Sequence, residues 1–448
     1  MKIIIEPIDE LVEQLRPRLA RAVEPLQVAA ALESEGLNDK LARERYGHAD
    51  VFSLAETVYA RLVRAEPAPP AEAGRDTTWR SLVHGPLYAM PAALLPAVTA
   101  LVGVESLMPG LVVTTGIGWV LGSVLSRLAY GLTGLGAPAS AAMTLRRGLV
   151  LGVIVAGGTA LLWGPVSMVV LAVAQLTFQV CSGILLFHRR EGLLALLMLP
   201  ATVAGAGYVV VGEPVVALVA VALGVLSIGA VACAAVLLTR HGRPERPVRG
   251  QFTADLALAL VYSALTAGFL LLAEAVYVVS RPDLAVAGAG LVLGMGVLEW
   301  RAHRFESAVR GVVRQVCYPV EFTAQGHRLL LRGLLCCLAA LSCLAALSCL
   351  TVAVLAMTEV SLQGVAMAAA HVVLGGAYFV AFLLANQGRL VELCLAQGAA
   401  LLVHQGAGPL LPEGPLADVL LFLAACLLLL SLLLALMSGS LKDVWHYR

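Results

Sequence analysis

The chain has 448 residues, 60% of them hydrophobic and only 13% charged, with a net charge of +1 and a mean hydropathy of +0.89. A soluble domain is near half apolar and about a quarter charged, so too few polar residues are present to cover a water-exposed surface of this size, and a water-soluble enzyme is excluded. The 6% aromatic content, with abundant Leu, Ala, Val and Gly, points to long helices packed through small residues rather than to an alternating barrel.

The charge is unevenly placed. Residues 1–80 hold 11 Lys/Arg against 14 Asp/Glu, and the remainder 19 against 15, so a charged, mildly acidic head precedes a membrane body. No basic stretch followed by a short apolar run and a small-residue cleavage site opens the chain, so no signal peptide is read and the head is expected in the cytoplasm. Within residues 1–65, apolar periodicity predicts helices over 8–23, 26–35, 38–46 and 50–63, broken at Pro25, Gly36 and Gly47. Asn38 and Asp50 are suited to cap the third and fourth. Val51, Leu54, Ala55, Val58 and Leu62 recur on one face of the last. Tyr46 and His48 fall in a turn, and with no Cys nearby they suggest no metal or catalytic site. Pro67, Pro69 and Pro70 make 66–85 a stiff linker.

Apolar stretches long enough to cross a hydrocarbon core, which takes roughly 20 residues, lie near 86–104, 109–130, 148–164, 166–187, 192–211, 214–238, 254–279, 284–300, 329–357, 361–386, 390–407 and 416–437. With a cytoplasmic N-terminus, the inner segments receive every Lys and Arg of the membrane body except Arg281, which falls in an outer loop. One span more or fewer would scatter these charges over both faces, so twelve spans with both ends inside are expected. The resulting organisation is a head at 1–65, a linker at 66–85, a first six-helix bundle at 86–238, a connecting loop at 239–253, a second bundle at 254–437 and a tail at 438–448. Residues 300–328, with Phe305, Val309, Val312 and Val313 set against Arg304, Arg310 and Arg314, are expected to form either an amphipathic helix lying along the inner interface or an ordinary basic loop.

The sequence carries little chemistry. All nine Cys follow residue 180 and none forms a CxxC pair; Cys337, Cys343 and Cys349 recur every six residues, which does not keep one helical face. No Walker A, HExxH or GxSxG pattern appears, and the outer loops are too short to house a domain. The expectation is therefore no enzyme, no cofactor, no metal and no nucleic-acid partner.

Ionisable residues at membrane depth remain as leads, because a charge in hydrocarbon costs at least a few kcal/mol and tends to face a cavity or a partner. Glu274, inside the seventh span, and His371, near the middle of the tenth, are the candidates for ion coupling; a headgroup-level carboxyl and a helix-to-helix hydrogen bond are the plainer readings. Arg127 at the inner end of the second span, and Glu299 with Arg301 at the inner end of the eighth, are candidates for a substrate cavity or gate. Glu299 is expected to pair with Arg301, Arg304 or Arg127, and an Arg reaching back to the interface is the plainer reading of Arg127.

Two inner-face segments bear on family. Gly122-Ser-Val-Leu-Ser-Arg127-Leu-Ala-Tyr-Gly lacks the Asp and the basic pair usual between the second and third spans of major facilitators. Val297-Leu-Glu-Trp-Arg-Ala-His-Arg-Phe-Glu-Ser-Ala-Val-Arg, continuing to Pro319-Val-Glu321, resembles the corresponding region of Pel-type exopolysaccharide exporters in the MOP superfamily. That resemblance implies a central cavity between two bundles, through which a polysaccharide or lipid-linked glycan crosses outward. The competing expectation is a non-transporting scaffold whose head, residues 1–65, recruits a cytoplasmic glycosyltransferase to the bilayer.

Overall fold

The computed structural model describes residues 7–19, 24–64, 80–163, 165–243, 253–274, 281–315, 319–356, 361–410 and 414–442, and every regular element among them is helical. The chain divides into two compact units, Met1–Thr77 and Thr78–Arg448.

Four helices build the first unit: α1 (Pro7–Leu19), α2 (Pro25–Ser34), α3 (Asp39–Tyr46) and α4 (Val51–Arg64). Asn38 caps α3 by accepting from the N–H groups of Lys40 and Leu41, each at 3.1 Å. Gly47 closes the same helix in the left-handed conformation, φ 70°, where a β-carbon would be strained. Asp50 caps α4 by accepting from the Ser53 N–H at 2.7 Å, a bond that holds its carboxyl below the usual carboxylate range. Arg61 pairs with Asp9 at 2.6 Å and ties α4 to α1. Leu11, Leu15, Val28, Leu32, Leu54 and Val58 form a core that belongs to this unit alone, with Leu62 packed at its edge.

The second unit is polytopic. Its first span is assembled from a 3-10 turn at Arg80–Val83, α5 (His84–Ala89), a second 3-10 turn at Met90–Leu94 and α6 (Leu95–Val102). Pro86, Pro91 and Pro96 each sit within the first three residues of a piece. Proline lacks an N–H and clashes with the carbonyl four residues back, so it is tolerated in a first turn and breaks a continuous helix. Spans two to six are α7 (Val104–Gly134), α8 (Pro138–Trp163), α9 (Val166–Phe187), α10 (Glu191–Val211) and α11 (Pro214–Thr239). Spans seven to twelve are α12 (Thr253–Glu274), α13 (Pro282–Ala287) with α14 (Ala289–Gln315), α15 (Pro319–Ala356), α16 (Leu362–Asn386), α17 (Leu390–Ala407) and α18 (Pro415–Ser440). Ten of these segments are long and apolar enough to cross a membrane. The other two are α7, whose side chains at 104–111 and 113 lie outside the described residues, and the eighth span, which is divided at Gly288 and carries Glu299, Arg301, Arg304 and Glu306 on α14.

One expectation is corrected here. The basic segment after Trp300 is neither a separate interfacial helix nor a loop: α14 runs unbroken to Gln315, and α15 begins at Pro319. At 27 and 38 residues these helices are about 40 and 57 Å long, well beyond a hydrocarbon core of about 30 Å. The apolar face intended for lipid is used internally, with Phe305, Val309 and Phe322 buried in the core and Val312 and Val313 packed against it.

Two large apolar cores, with a small cluster of Ala160, Met168 and Ala172 beside the first, hold the membrane unit. One draws only on residues between Leu87 and Ala235, including Leu176, Ile184 and Met198; the other only on residues between Ala259 and Leu441, including Phe269, Phe379 and Phe422. The helix packing repeats between the halves. Span two packs on three and four, span five on six and one, and span four on six; spans eight, eleven and ten make the same pairings six places later. An even number of spans per half gives both halves the same direction through the bilayer, so they are parallel repeats about an axis along the membrane normal. The junction obeys the same exchange, with span one packed on span eight and span two on span seven.

Small residues make that junction. A side chain at Gly85 would run into the carbonyl of Leu293, and one at Gly296 into the carbonyls of Ser81 and Leu82, so spans one and eight approach backbone to backbone. Gly296→Leu is therefore expected to lower the thermal midpoint of the detergent-solubilised protein and broaden its size-exclusion peak. Gly158→Leu, at a glycine that faces open space in α8, should leave both unchanged.

Candidate functional site

The junction carries its polar chemistry at the arginine-rich end. His84 opens α5, where Pro86 ends the possibility of a regular helix from the linker, and Glu299 lies on the neighbouring α14. The glycine contacts bring these backbones close enough for the side chains to meet. His84 Nδ1 stands 2.6 Å from Glu299 Oε2, so this nitrogen donates to the carboxylate. On the other side of the ring, Nε2 lies 4.0 Å from Glu191 Oε1 at the first residue of α10. The three side chains are 17%, 26% and 14% exposed, which shields the contact from bulk water. The imidazole of the first half thus answers a carboxylate of the second half and stands near one of its own.

Aromatic side chains frame this triad. The Tyr88 ring lies 6.3 Å from that of His84, and Tyr130 is within electrostatic reach of Glu299, Glu191 and Arg189. Tyr130 packs edge-on against Phe187 at 5.0 Å, and Phe187 against His188 at 5.1 Å. His188 lies beyond the end of α9. Burial, reinforced by Arg190, holds its imidazole below the ordinary value, so it is neutral at pH 7.

The turn that follows reveals how the halves diverge. Between spans four and five, the N–H groups of His188, Arg189 and Arg190 donate to the carbonyls of Ile184, Leu186 and Leu185. Between spans ten and eleven, those of Gln387, Gly388 and Arg389 donate in the same order to Leu383, Ala385 and Leu384. The left-handed position is Gly388 in the second half, φ 77°, but Arg189 in the first, φ 55°. A side chain there costs roughly 1 kcal/mol relative to glycine. The strained arginine belongs to the half whose Glu191 reaches His84.

The expected site residues divide between this cluster and other places. Glu299 is in the cluster, but its partner is His84 and not Arg301, Arg304 or Arg127. The guanidinium groups of Arg301 and Arg304 lie over the Trp300 ring at 5.6 and 5.2 Å, and Arg301 Nε is buried without a hydrogen-bond partner among the described residues. Arg127 is half-buried on α7 and makes no hydrogen bond or ion pair among the described residues. His84, Glu191 and Arg189 were not singled out by the sequence. The available signal was a histidine before Gly85-Pro86 at the edge of the first apolar stretch, and nothing local tied it to residue 299.

His371 sits elsewhere, 1% exposed inside the second half, with Nδ1 2.8 Å from the Met367 carbonyl. Its ring meets Phe422 edge-on at 5.7 Å, and Phe422 also touches His404 at 5.8 Å and Phe269 at 5.3 Å. At the end of the unit opposite the triad, His404, Asp418, Met367, Ala273 and Phe422 line a cavity of about 290 Å³. Glu274 is the last described residue of α12, directly after Ala273, and its side chain lies outside the described residues. His404 and Asp418 are the titratable lining groups that the sequence did not single out. No group of three His, Cys, Asp or Glu able to hold a metal occurs among the described residues.

Fold and junction together define a class: a multi-pass helical membrane protein of two equivalent six-span halves, tied at one end by a cross-half histidine–carboxylate contact. No family model matches the chain, and no curated protein matches it. Among solved structures, it is similar to one described as the crystal structure of MATE in the bent conformation, with 12% sequence identity and a TM-score of 0.42 over 82% of this chain and 92% of that one.

The triad makes a direct prediction. His84→Ala leaves two partly buried carboxylates without their shared partner and should destabilise the protein by about 1–3 kcal/mol, seen as a lower thermal midpoint. Adding Glu299→Gln should recover part of the loss, so that the two substitutions are non-additive in a double-mutant cycle.

Proposed function

We propose that this protein is a membrane transporter or flippase that exports a polysaccharide or lipid-linked glycan by alternating access, with its arginine-rich end in the cytoplasm. The separate apolar core of each half carries the reading. Two bodies with separate cores, which meet where span one packs on span eight and span two on span seven, are suited to rock against each other. The His84–Glu299 contact then closes the inner end, and its separation opens that end to the cytoplasm. Arg127, half-buried on α7, and Arg301 supply positive charge along the inward-open cavity for a phosphate or an acidic sugar. The orientation follows from the distribution of Lys and Arg, and the glycan cargo from the likeness of 297–321 to Pel-type exporters of the MOP superfamily.

Coupling to an ion is assigned to Glu274 and His371, supported by the placement of His371 beside the His404–Asp418 cavity. In proteoliposomes, the double variant Glu274→Gln/His371→Ala should lose proton-dependent flux; flux at the wild-type level would remove this assignment.

A second reading is favoured by the self-contained core of residues 7–64, with Leu26 and Phe52 exposed on its surface. In it, the head recruits a cytoplasmic glycosyltransferase and the membrane unit does not transport. A reversible lock separates the two. With native cysteines replaced, His84→Cys/Glu299→Cys should form a disulfide that reduces glycan flux to the level of empty liposomes, and reduction should restore it. Undiminished flux in fully cross-linked protein would overturn the latch, and absence of flux in every form would favour the scaffold.

A further inference from the structure

One aromatic contact crosses the junction near the middle of the two helices that make it. Trp119 lies at the middle of α7 and Tyr378 in the central part of α16, and their ring centroids are 6.5 Å apart at 43°. Tyr378 is buried at 4% exposure, while Trp119 is half-buried. On α9, which packs against α7, the Gln179 amide oxygen is buried and has no hydrogen-bond partner among the described residues. It rests against Gly118, the residue next to Trp119, where any side chain would collide with it. Glycine at 118 therefore admits the amide to the backbone of α7.

A buried acceptor without a donor costs about 1–3 kcal/mol, and hydrocarbon supplies no water to relieve it. Phe or Leu at this place would pack at lower cost. The group is explained if a ligand brings the donor. Aromatic faces bind the C–H face of a sugar ring, and an amide oxygen accepts from a hydroxyl; no carboxylate or arginine is among these three side chains to select a charged ligand.

We infer that Trp119, Tyr378 and Gln179 form a binding site for a neutral sugar ring at the midplane of the junction. This deepens the transport reading by naming the part of the cargo recognised there, and rests on that reading for its role. The rings stack on the sugar while Gln179 Oε1 accepts a hydroxyl proton. Because Trp119 belongs to the first half and Tyr378 to the second, a ring between them displaces a contact that otherwise joins the halves.

The test uses the full chain in nanodiscs, captured on a panel of immobilised neutral and acidic oligosaccharides. Wild type should bind neutral members of the panel. Trp119→Ala and Gln179→Leu should each weaken capture about tenfold, whereas Trp119→Phe, which keeps an aromatic face, should retain most of it. Thermal midpoints show that the variants are folded. Capture of no oligosaccharide, capture of acidic members alone, or capture unchanged in both Trp119→Ala and Gln179→Leu would overturn the site. Capture that is lost in these variants, from a protein without measurable flux, would keep the site and remove transport.

Discussion

Hydrocarbon offers no hydrogen bonds, and most of this architecture follows from that constraint. Backbone groups in the bilayer must be satisfied within the chain, which leaves helices as the spanning element. With lipid as apolar as leucine, helices gain little by hiding apolar faces and associate through close packing and polar contacts instead. Both appear at the junction. Gly85 and Gly296 let spans one and eight approach until carbonyls occupy the space of absent side chains, and His84 and Glu299 then meet at 2.6 Å. Neither feature suffices alone. Without the glycines the side chains stay apart, and without the polar pair the backbone approach of spans one and eight has no side-chain bond to fix it.

The repeat is one of backbone rather than of chemistry. The turns at 188–190 and 387–389 share a hydrogen-bond ladder donor for donor, yet one places arginine where the other places glycine. Following that turn, Glu191 in the first half approaches His84, whereas in the second half Arg389 donates to Glu392 at 3.0 Å and to the Leu436 carbonyl at 3.1 Å. The same turn thus leads to a carboxylate beside the junction histidine in one half and to an arginine that tethers its own half in the other. Polar groups inside the bundle are also unlike in the two halves: the cavity lined by His404 and Asp418 lies within the second half, while the Gln179 amide lies within the first.

The helical class and ten of the twelve expected spans were legible in the sequence because hydropathy is a local property and the crossing length is set by bilayer thickness. The head helices were legible for a similar reason: Asn38 and Gly47 mark the ends of α3 by local bonding. Helix continuation beyond the bilayer was not. Residues 301–315 alternate charge and apolar bulk as an interfacial helix does, and only the tertiary packing of Phe305 and Val309 reveals that the apolar side is already covered. Glu299 stood out as a charge near membrane depth, but its partner is 215 residues away, and one sequence holds no distance information at that separation. His84 was hidden further by the prolines around it, which made the start of span one look like linker. Gln179 was invisible for a different reason: a single amide in an apolar helix is ordinary until the space around its oxygen is known.

If the halves move as proposed, the His84–Glu299 and Trp119–Tyr378 contacts, which both join the two halves, would take different parts in that motion. A histidine between two carboxylates responds to charge and to water, so in the proposed cycle it would sense whether this end is wet. Two aromatic rings from opposite halves respond to shape, since any flat ligand that enters must part them. Parting the rings pushes on α7 and α16, and α7 packs on span seven across the same junction. A ligand bound there as proposed would act on the same junction that the His84–Glu299 contact ties, and contacts made only in the occupied junction would offset the cost of breaking that contact. Such differential binding is what a ligand must supply to shift an equilibrium between two conformations.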